Sequence, residues 1–96
     1  MKLRALHETH PRPRTRREIK AILRDALKRE FPDDTVDISD GFEDNIHVVV
    51  VSRKFDKLSE KQKQNALWRI IDGTELNKAE KLLISLVYPV SIAEIK

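Results

Sequence analysis

The chain has 96 residues, a net charge of +3 and no cysteine. A chain of this length forms one domain, and the lack of cysteine excludes disulfides, thiolate metal sites and cysteine nucleophiles. No stretch approaches the roughly 18 apolar residues of a membrane span, and the first residues lack the apolar run of a signal peptide, so we expect a cytoplasmic protein.

The charge is distributed unevenly along the sequence. Residues 1–17 carry six basic side chains and one acidic side chain, giving +5, whereas the remaining residues carry 13 basic and 15 acidic side chains, giving −2. Prolines interrupt any helix near the N-terminus, so we expect a disordered basic arm at 1–14 and a folded domain at 15–96. Such an arm is either a solubilising tail or a contact for nucleic-acid phosphates. Its His7 and His10 would make a poor metal site.

The first predicted element is a helix that begins after Thr15. Thr15 and Glu18 form a capping-box pattern, in which the hydroxyl and the carboxylate satisfy free backbone N–H groups at a helix start. Apolar residues then recur at helical spacing. The helix should end near Glu30, because Pro32 disfavours helical geometry at Phe31.

Two strands follow. The segment TVDIS alternates apolar and polar residues, as expected for a half-exposed edge strand. Asp40 and Gly41 suit the positive backbone angles that hairpin connections need. The second strand, Ile46–Ser52, is apolar on both faces and is typical of a central strand covered on both sides. His47 lies within it, and a lone histidine among valines is more often packed than a metal ligand.

A second helix, a short third helix and a last strand complete the predicted elements. Ser59 and Gln62 repeat the capping pattern, and Gly73 is a natural helix stop. A short helix should run from Leu76 to about Lys81, and LLISLVYPV then predicts a strand. The order α-β-β-α-α-β predicts an α+β domain in which a three-stranded mixed sheet carries its helices on one face.

This order, the run HVVVVSRKFDKLSEKQKQ and the ending ISLVYPVSIAEI resemble the BolA-like family, whose fold is close to a type II KH domain. The similar region covers roughly Ile19 to Glu94. Its best-matched positions include Ser52 at the end of the central strand, Phe55 in the next loop and Tyr88 in the last strand. The resemblance implies a regulatory protein that acts through a protein partner, of which a monothiol glutaredoxin is one possibility.

The iron–sulfur ligands of that family are missing from this sequence. BolA-like proteins carry a histidine at the start of the last strand, and a histidine or cysteine near the loop between the first two strands. Here the first position falls at or beside Lys81, and the loop from Asp40 to Asn45 has neither residue. Because a lysine ammonium has no lone pair for iron, we expect cluster sharing to be weakened or lost, and we assign no cofactor.

A basic segment after the central strand is the candidate nucleic-acid surface. KH domains grip RNA through a GXXG loop, which two isolated glycines, Gly41 and Gly73, cannot form. In BolA-like proteins, however, the loop and helix corresponding to residues 53–63 are implicated in DNA contact. The lack of apolar residues from 59 to 65 predicts that this half of the helix projects from the core, as a nucleic-acid face or as an ordinary solvated helix start. The candidate contacts are Arg53, Lys54, Lys57, Lys61 and Lys63.

The candidate partner-binding residues are Phe55, Trp68, Lys81 and Tyr88. Trp68 lies beside the apolar stripe of the second helix, where it either packs on the core or anchors a partner. If all helices lie on one face of the sheet, the apolar residues of the other face need cover from a partner, a second copy or the N-terminal arm.

No catalytic constellation is visible in the sequence, since it shows no metal triad, no nucleophile beside a base and no phosphate-binding loop. We therefore expect a non-catalytic interaction or regulatory domain, monomeric or weakly homodimeric, that acts through a protein partner. The alternative is a DNA-binding regulator that uses the basic segment.

Overall fold

A three-stranded mixed sheet with helices on one face forms the domain in the computed structural model, which describes residues 12–95 apart from the side chain of Glu94. The helices are α1 (Arg16–Glu30), α2 (Glu60–Asp72), α3 (Lys78–Lys81) and α4 (Ile92–Ile95), and the strands are β1 (Thr35–Asp40), β2 (Ile46–Ser52) and β3 (Ile84–Ser91). The predicted α+β class and the order α-β-β-α-α-β are confirmed, with α4 following β3. Residues 1–11, including His7 and His10, lie outside the described residues.

Strand β2 lies at the centre of the sheet, antiparallel to β1 and parallel to β3. Its residues alternate between a buried face beneath the helices, with Val48 and Val50, and a half-buried opposite face, with Val49 and Val51. The strand is therefore central, as predicted, but helices cover only one of its two apolar faces.

The hydrophobic core lies between the helices and the covered face of the sheet. α1 contributes a stripe at four-residue spacing, Ile19, Leu23 and Leu27, and α2 contributes Leu67 and Ile71. The remaining buried hydrophobic residues are Phe31, Ile38, Ile46, Val48, Val50, Phe55, Leu76, Ile84 and Val87. One contiguous core of this kind holds the sheet against both long helices.

The two predicted capping boxes are present. The Thr15 hydroxyl accepts the N–H of Glu18 at 3.1 Å, and the Glu18 carboxylate accepts the N–H of Thr15 at 2.7 Å. The Ser59 hydroxyl and the Gln62 amide make the same reciprocal pair at 3.1 and 2.9 Å. These side chains fix the first residues of α1 and α2 because they satisfy backbone N–H groups that a helix start leaves unpaired.

A third capping box, which the sequence analysis missed, shifts two predicted boundaries. Asn77 accepts the N–H of Glu80 at 2.8 Å and the Glu80 carboxylate accepts the N–H of Asn77 at 2.9 Å, so α3 begins at Lys78 and not at Leu76. Leu82 then caps the end of α3, which delays the start of β3 to Ile84. The readable signal was an asparagine followed three residues later by a glutamate.

The turn between β1 and β2 departs from the predicted geometry. The positive φ angles fall on Glu43 (53°) and Asp44 (66°), whereas Gly41 has a φ of −102°. Space limits this position instead, because a Cβ would lie 2.3 Å from Nε2 of His47 and the imidazole would have to move. The histidine that the sequence placed among valines therefore packs its imidazole against the backbone of the turn.

A methyl group at position 41 should destabilise the domain through this contact. We expect Gly41→Ala to reduce the free energy of unfolding by about 1–2 kcal/mol, since the imidazole of His47 must move to admit the new Cβ. In a His47→Ala background the same substitution should have a much smaller effect. Chemical denaturation of the four proteins of this cycle checks the coupling, and additive losses would contradict it.

Candidate functional site

The basic segment, Arg53, Lys54, Lys57, Lys61 and Lys63, does not form one uniform exposed surface. Arg53, Lys57 and Lys61 are exposed, and their side chains make no hydrogen bond or ion pair within residues 12–95. Lys54 is also exposed, but its Nζ donates to the backbone oxygen of Glu30 at 2.6 Å and lies 5.0 Å from the ring centroid of Phe31. A cation at the carboxyl end of α1 is stabilised by the helix dipole, so Lys54 has a structural role.

Lys63 corrects the expectation that the whole segment is solvated. Its side chain is 3% exposed and its Nζ lies 2.8 Å from a carboxylate oxygen of Glu60. Lys63 precedes Leu67 and Ile71 at four-residue spacing, so it occupies the inward-facing stripe of α2. The ammonium is therefore not presented to solvent beside Arg53, Lys57 and Lys61.

Phe55, a predicted partner contact, is 1% exposed. It lies in the 3₁₀ turn Arg53–Phe55 that follows β2, and its ring centroid is 5.4 Å from that of Phe31 in a tilted arrangement. Such a buried aromatic pair stabilises the core and is not accessible to a partner. The sequence placed Phe55 in a loop, but the turn directs its side chain inward.

Trp68 and Lys81 are both partly accessible. Trp68 is half-buried and packs against the core, which is one of the two alternatives that its position beside the apolar stripe left open. The Lys81 ammonium donates to the carboxylate of Asp72 at 3.1 Å and so links α3 to the end of α2. Neither side chain lies on the face of the sheet that is opposite the helices.

Tyr88 is 53% exposed and lies on the sheet surface that carries no helix. Three cross-strand rows cover this surface, which we call the open face: its members are Ser39, His47 and Leu86; Asp37, Val49 and Tyr88; and Thr35, Val51 and Val90. Leu86 is 41% exposed. Apart from His47, the open face is thus apolar over β2 and β3, and it becomes polar along β1.

The outer edge of β3 is blocked against strand addition. The carbonyl oxygen of Val87 accepts a hydrogen bond of 2.7 Å from the side-chain amide of Gln64 in α2, so it points away from β2. Pro89, two residues on, shares that orientation and lacks an N–H group. Because two consecutive outward positions of β3 are unavailable for ladder hydrogen bonds, a partner strand cannot extend the sheet at this edge.

Lys81 and the β1–β2 turn, the places where the BolA-like resemblance would put iron–sulfur ligands, lie at one end of the sheet. The N–H of Ile46, next to the β1–β2 turn, donates to the carbonyl oxygen of Leu83 at 2.8 Å. Nevertheless, the Lys81 ammonium is ion-paired and the turn contains no histidine or cysteine. Within residues 12–95, no group of three or more histidine, aspartate or glutamate side chains is placed to hold a metal ion. The residues present do not fit a cluster.

A groove of about 950 Å³ separates α1 from α2 on the helical side. Its floor includes Ile22, Ala26 and Ile70, and its rim carries basic and acidic side chains in equal number. The charged residues that line it are Asp25, Arg29, Glu30, Lys54, Arg69 and Glu75. Because the positive and negative charges around the groove are equal in number, its charge favours neither an anionic nor a cationic ligand.

Arg12 ties the start of the described chain to the first turn of α1. Its guanidinium donates to both carboxylate oxygens of Glu18, at 3.0 and 2.6 Å. These bonds, together with the N–H of Thr15, lower the pKa of Glu18 to about 2. Arg12 was assigned to the arm from the sequence, and the structure shows it bound to the domain.

Two further carboxylates have lowered pKa values. The backbone N–H of Asn77 and then the guanidinium of Arg14 lower the pKa of Glu80, and the Arg14–Glu80 distance is 2.8 Å. The ammonium of Lys20, 2.8 Å away, lowers the pKa of Asp40. The ionised carboxylates thus connect the start of α1 to α3 and to the end of β1.

Acid should weaken the domain as these carboxylates are protonated. Because their folded pKa values lie below the unfolded ones, their stabilisation is complete above the unfolded glutamate value of 4.5 and, for Glu18, is lost as the pH falls toward about 2. We expect the denaturant concentration at the unfolding midpoint to fall as the pH is lowered across this range, and to fall less steeply in Glu18→Gln. Asp33→Asn, at an exposed turn, is the control. An unchanged slope in Glu18→Gln would contradict the assignment.

Comparisons with known proteins identify no relative: no family model, curated protein or solved structure matches the chain. No helix within residues 12–95 is long and apolar enough to cross a membrane.

Proposed function

We propose that this chain is a non-catalytic interaction domain of BolA-like type that acts through a protein partner bound to its open face. The observation that carries the proposal is the exposure of Leu86 and Tyr88 beside the half-buried Val49, Val51 and Val90. Large apolar side chains that are contiguous on one surface mark protein contact sites more often than isolated ones do. Tyrosine is also among the residues that interface cores favour.

The chemistry of the site supports binding and not catalysis. The open face has one carboxylate, Asp37, and one imidazole, His47, in different cross-strand rows. The BolA-like resemblance suggests a monothiol glutaredoxin as one partner, but the residues at the cluster-ligand positions do not fit metal sharing. The proposed contact is therefore a direct protein–protein contact through apolar and aromatic side chains.

Affinity capture with matched variants tests this proposal. Val49→Lys places a charge at the centre of the open face, whereas Leu82→Ser changes an exposed leucine at the end of α3. We expect proteins captured at endogenous levels by the natural chain to be captured equally by Leu82→Ser and to be lost with Val49→Lys. Equal capture by all three proteins, with both variants folded, would refute binding through this face.

A second candidate function is nucleic-acid binding through Arg53, Lys57 and Lys61. Its support is that these three exposed cations have no partner within the described part of the chain, as phosphate contacts require. Duplex and single-stranded probes should then bind with an affinity that falls steeply with salt. The triple variant Arg53→Gln, Lys57→Gln, Lys61→Gln should abolish binding. Absence of salt-dependent binding would eliminate this candidate.

A further inference from the structure

The open face has a polar border on one side only. Its β1 residues are Thr35, Asp37 and Ser39, whereas its β3 residues are Leu86, Tyr88 and Val90. In the middle row, Asp37 pairs across the sheet with Val49, which pairs with Tyr88. A hydrogen-bond acceptor and a hydrogen-bond donor therefore stand at equal distances on either side of the central strand.

We propose that the open face binds the open face of a second copy of this chain, with β1 of each copy lying over β3 of the other. This inference rests on the proposed function, because it assigns the occupant of the same face. A two-fold axis parallel to β2 generates the arrangement and makes the contact isologous. The result is a six-stranded sandwich with the helices of both copies on the outside.

The middle row is complementary to itself in this orientation. The hydroxyl of Tyr88 donates to the Asp37 carboxylate of the second copy, the reciprocal bond forms on the other side, and Val49 packs on its own copy. Hydrogen bonds to an ionised acceptor are stronger than neutral ones. A long tyrosine opposite a short aspartate also suits the roughly 10 Å between packed sheets.

The opposite orientation is disfavoured by charge. A two-fold axis across the strands would place Asp37 over Asp37 of the second copy, in an interface that excludes water. Like charges at such a distance repel. The single carboxylate of the open face thus selects the aligned orientation over the reversed one.

The size of the face predicts a weak dimer. Three strands about 4.8 Å apart and six residues of about 3.3 Å each give a footprint of roughly 300 Å². Stable interfaces bury about 800 Å² of accessible surface on each partner. We therefore expect a dissociation constant between about 10 μM and 1 mM, and a monomer at low concentration.

Sedimentation equilibrium across this concentration range tests the inference. We expect a monomer–dimer equilibrium that Val49→Lys abolishes and that Leu82→Ser leaves unchanged. Tyr88→Phe, which removes one exposed hydroxyl and leaves the ring, should weaken the dimer about tenfold or more. Asp37→Ala should also weaken it, whereas the reversed orientation predicts that Asp37→Ala tightens it.

Each outcome decides the inference separately from the proposed function. A natural chain that is monomeric at about 1 mM, or a dimer unaffected by Val49→Lys, would overturn the second copy as occupant. A dimer that Asp37→Ala tightens would overturn the proposed orientation. Loss of protein capture by Val49→Lys in a monomeric chain would still support a heterologous partner on the open face.

Discussion

Phe55→Ala is expected to destabilise the domain by about 3–5 kcal/mol, because it removes a buried aromatic ring and leaves a cavity beside Phe31. A domain of this size has a total unfolding free energy of roughly 5–10 kcal/mol, so the variant should lose much of its stability. Chemical denaturation with a guanidinium series measures the loss directly.

The matched control for Phe55 is Tyr88→Ala, which truncates an aromatic side chain on the open face. Because Tyr88 is half exposed, we expect its loss to reduce the free energy of unfolding by no more than about 1 kcal/mol. Equal stability of the two variants would show that Phe55 is a surface contact, as the sequence analysis proposed, and not a core residue.

Lys63→Ala should be the second strongly destabilising substitution, with an expected loss of about 1–3 kcal/mol. The lysine stem is buried in the stripe that leads to Leu67 and its ammonium is ion-paired with Glu60, so alanine removes packing and charge together. Lys61→Ala, two residues earlier on the exposed surface, should change stability by less than about 0.5 kcal/mol. Thermal or chemical unfolding of the pair checks the contrast.

The same two lysine variants also separate an effect on stability from an effect on nucleic-acid binding. If nucleic acid binds the basic segment, Lys61→Ala should weaken binding without loss of stability, and its salt dependence should decrease by about one phosphate contact. Equal stability of Lys61→Ala and Lys63→Ala would contradict the burial of Lys63 and would indicate that its side chain is exposed, as that of Lys61 is.

Local sequence signals predicted the elements of this fold well because their causes are local. The capping boxes at Thr15 and Ser59 satisfy backbone groups within one helical turn, and the valines of β2 favour an extended chain wherever it packs. The bounds Ile46–Ser52 could therefore be predicted residue by residue. The missed capping box at Asn77 also depends on local residues alone, and it could have been recognised from the sequence.

The errors have a tertiary origin. Lys63 was predicted to be solvated because it is charged, yet its spacing from Leu67 places it in the buried stripe of α2. Phe55 was expected in an accessible loop, but Phe31, distant in sequence, provides its packing partner. Gly41 was predicted to supply a positive backbone angle, whereas in the structure the imidazole of His47 limits the space for a side chain at this position. Each outcome depends on a neighbour that the local pattern does not specify.

The sequence predicted an exposed apolar sheet face only if all helices lie on the other face of the sheet. Two apolar faces of β2 were readable from the sequence, but which residues the helices cover follows from the register with β1 and β3. That register places Asp37, Val49 and Tyr88 in one row, and the proposed interaction surface depends on this row.

An isotope-labelled titration tests the central claim, that the open face and not the basic segment is the binding surface. The labelled chain would be titrated with a captured partner or with itself at increasing concentration, and then with a DNA duplex. We expect the protein titrations to shift the resonances of Val49, Leu86 and Tyr88. Shifts confined to residues 53–61, appearing only with the duplex, would contradict the account.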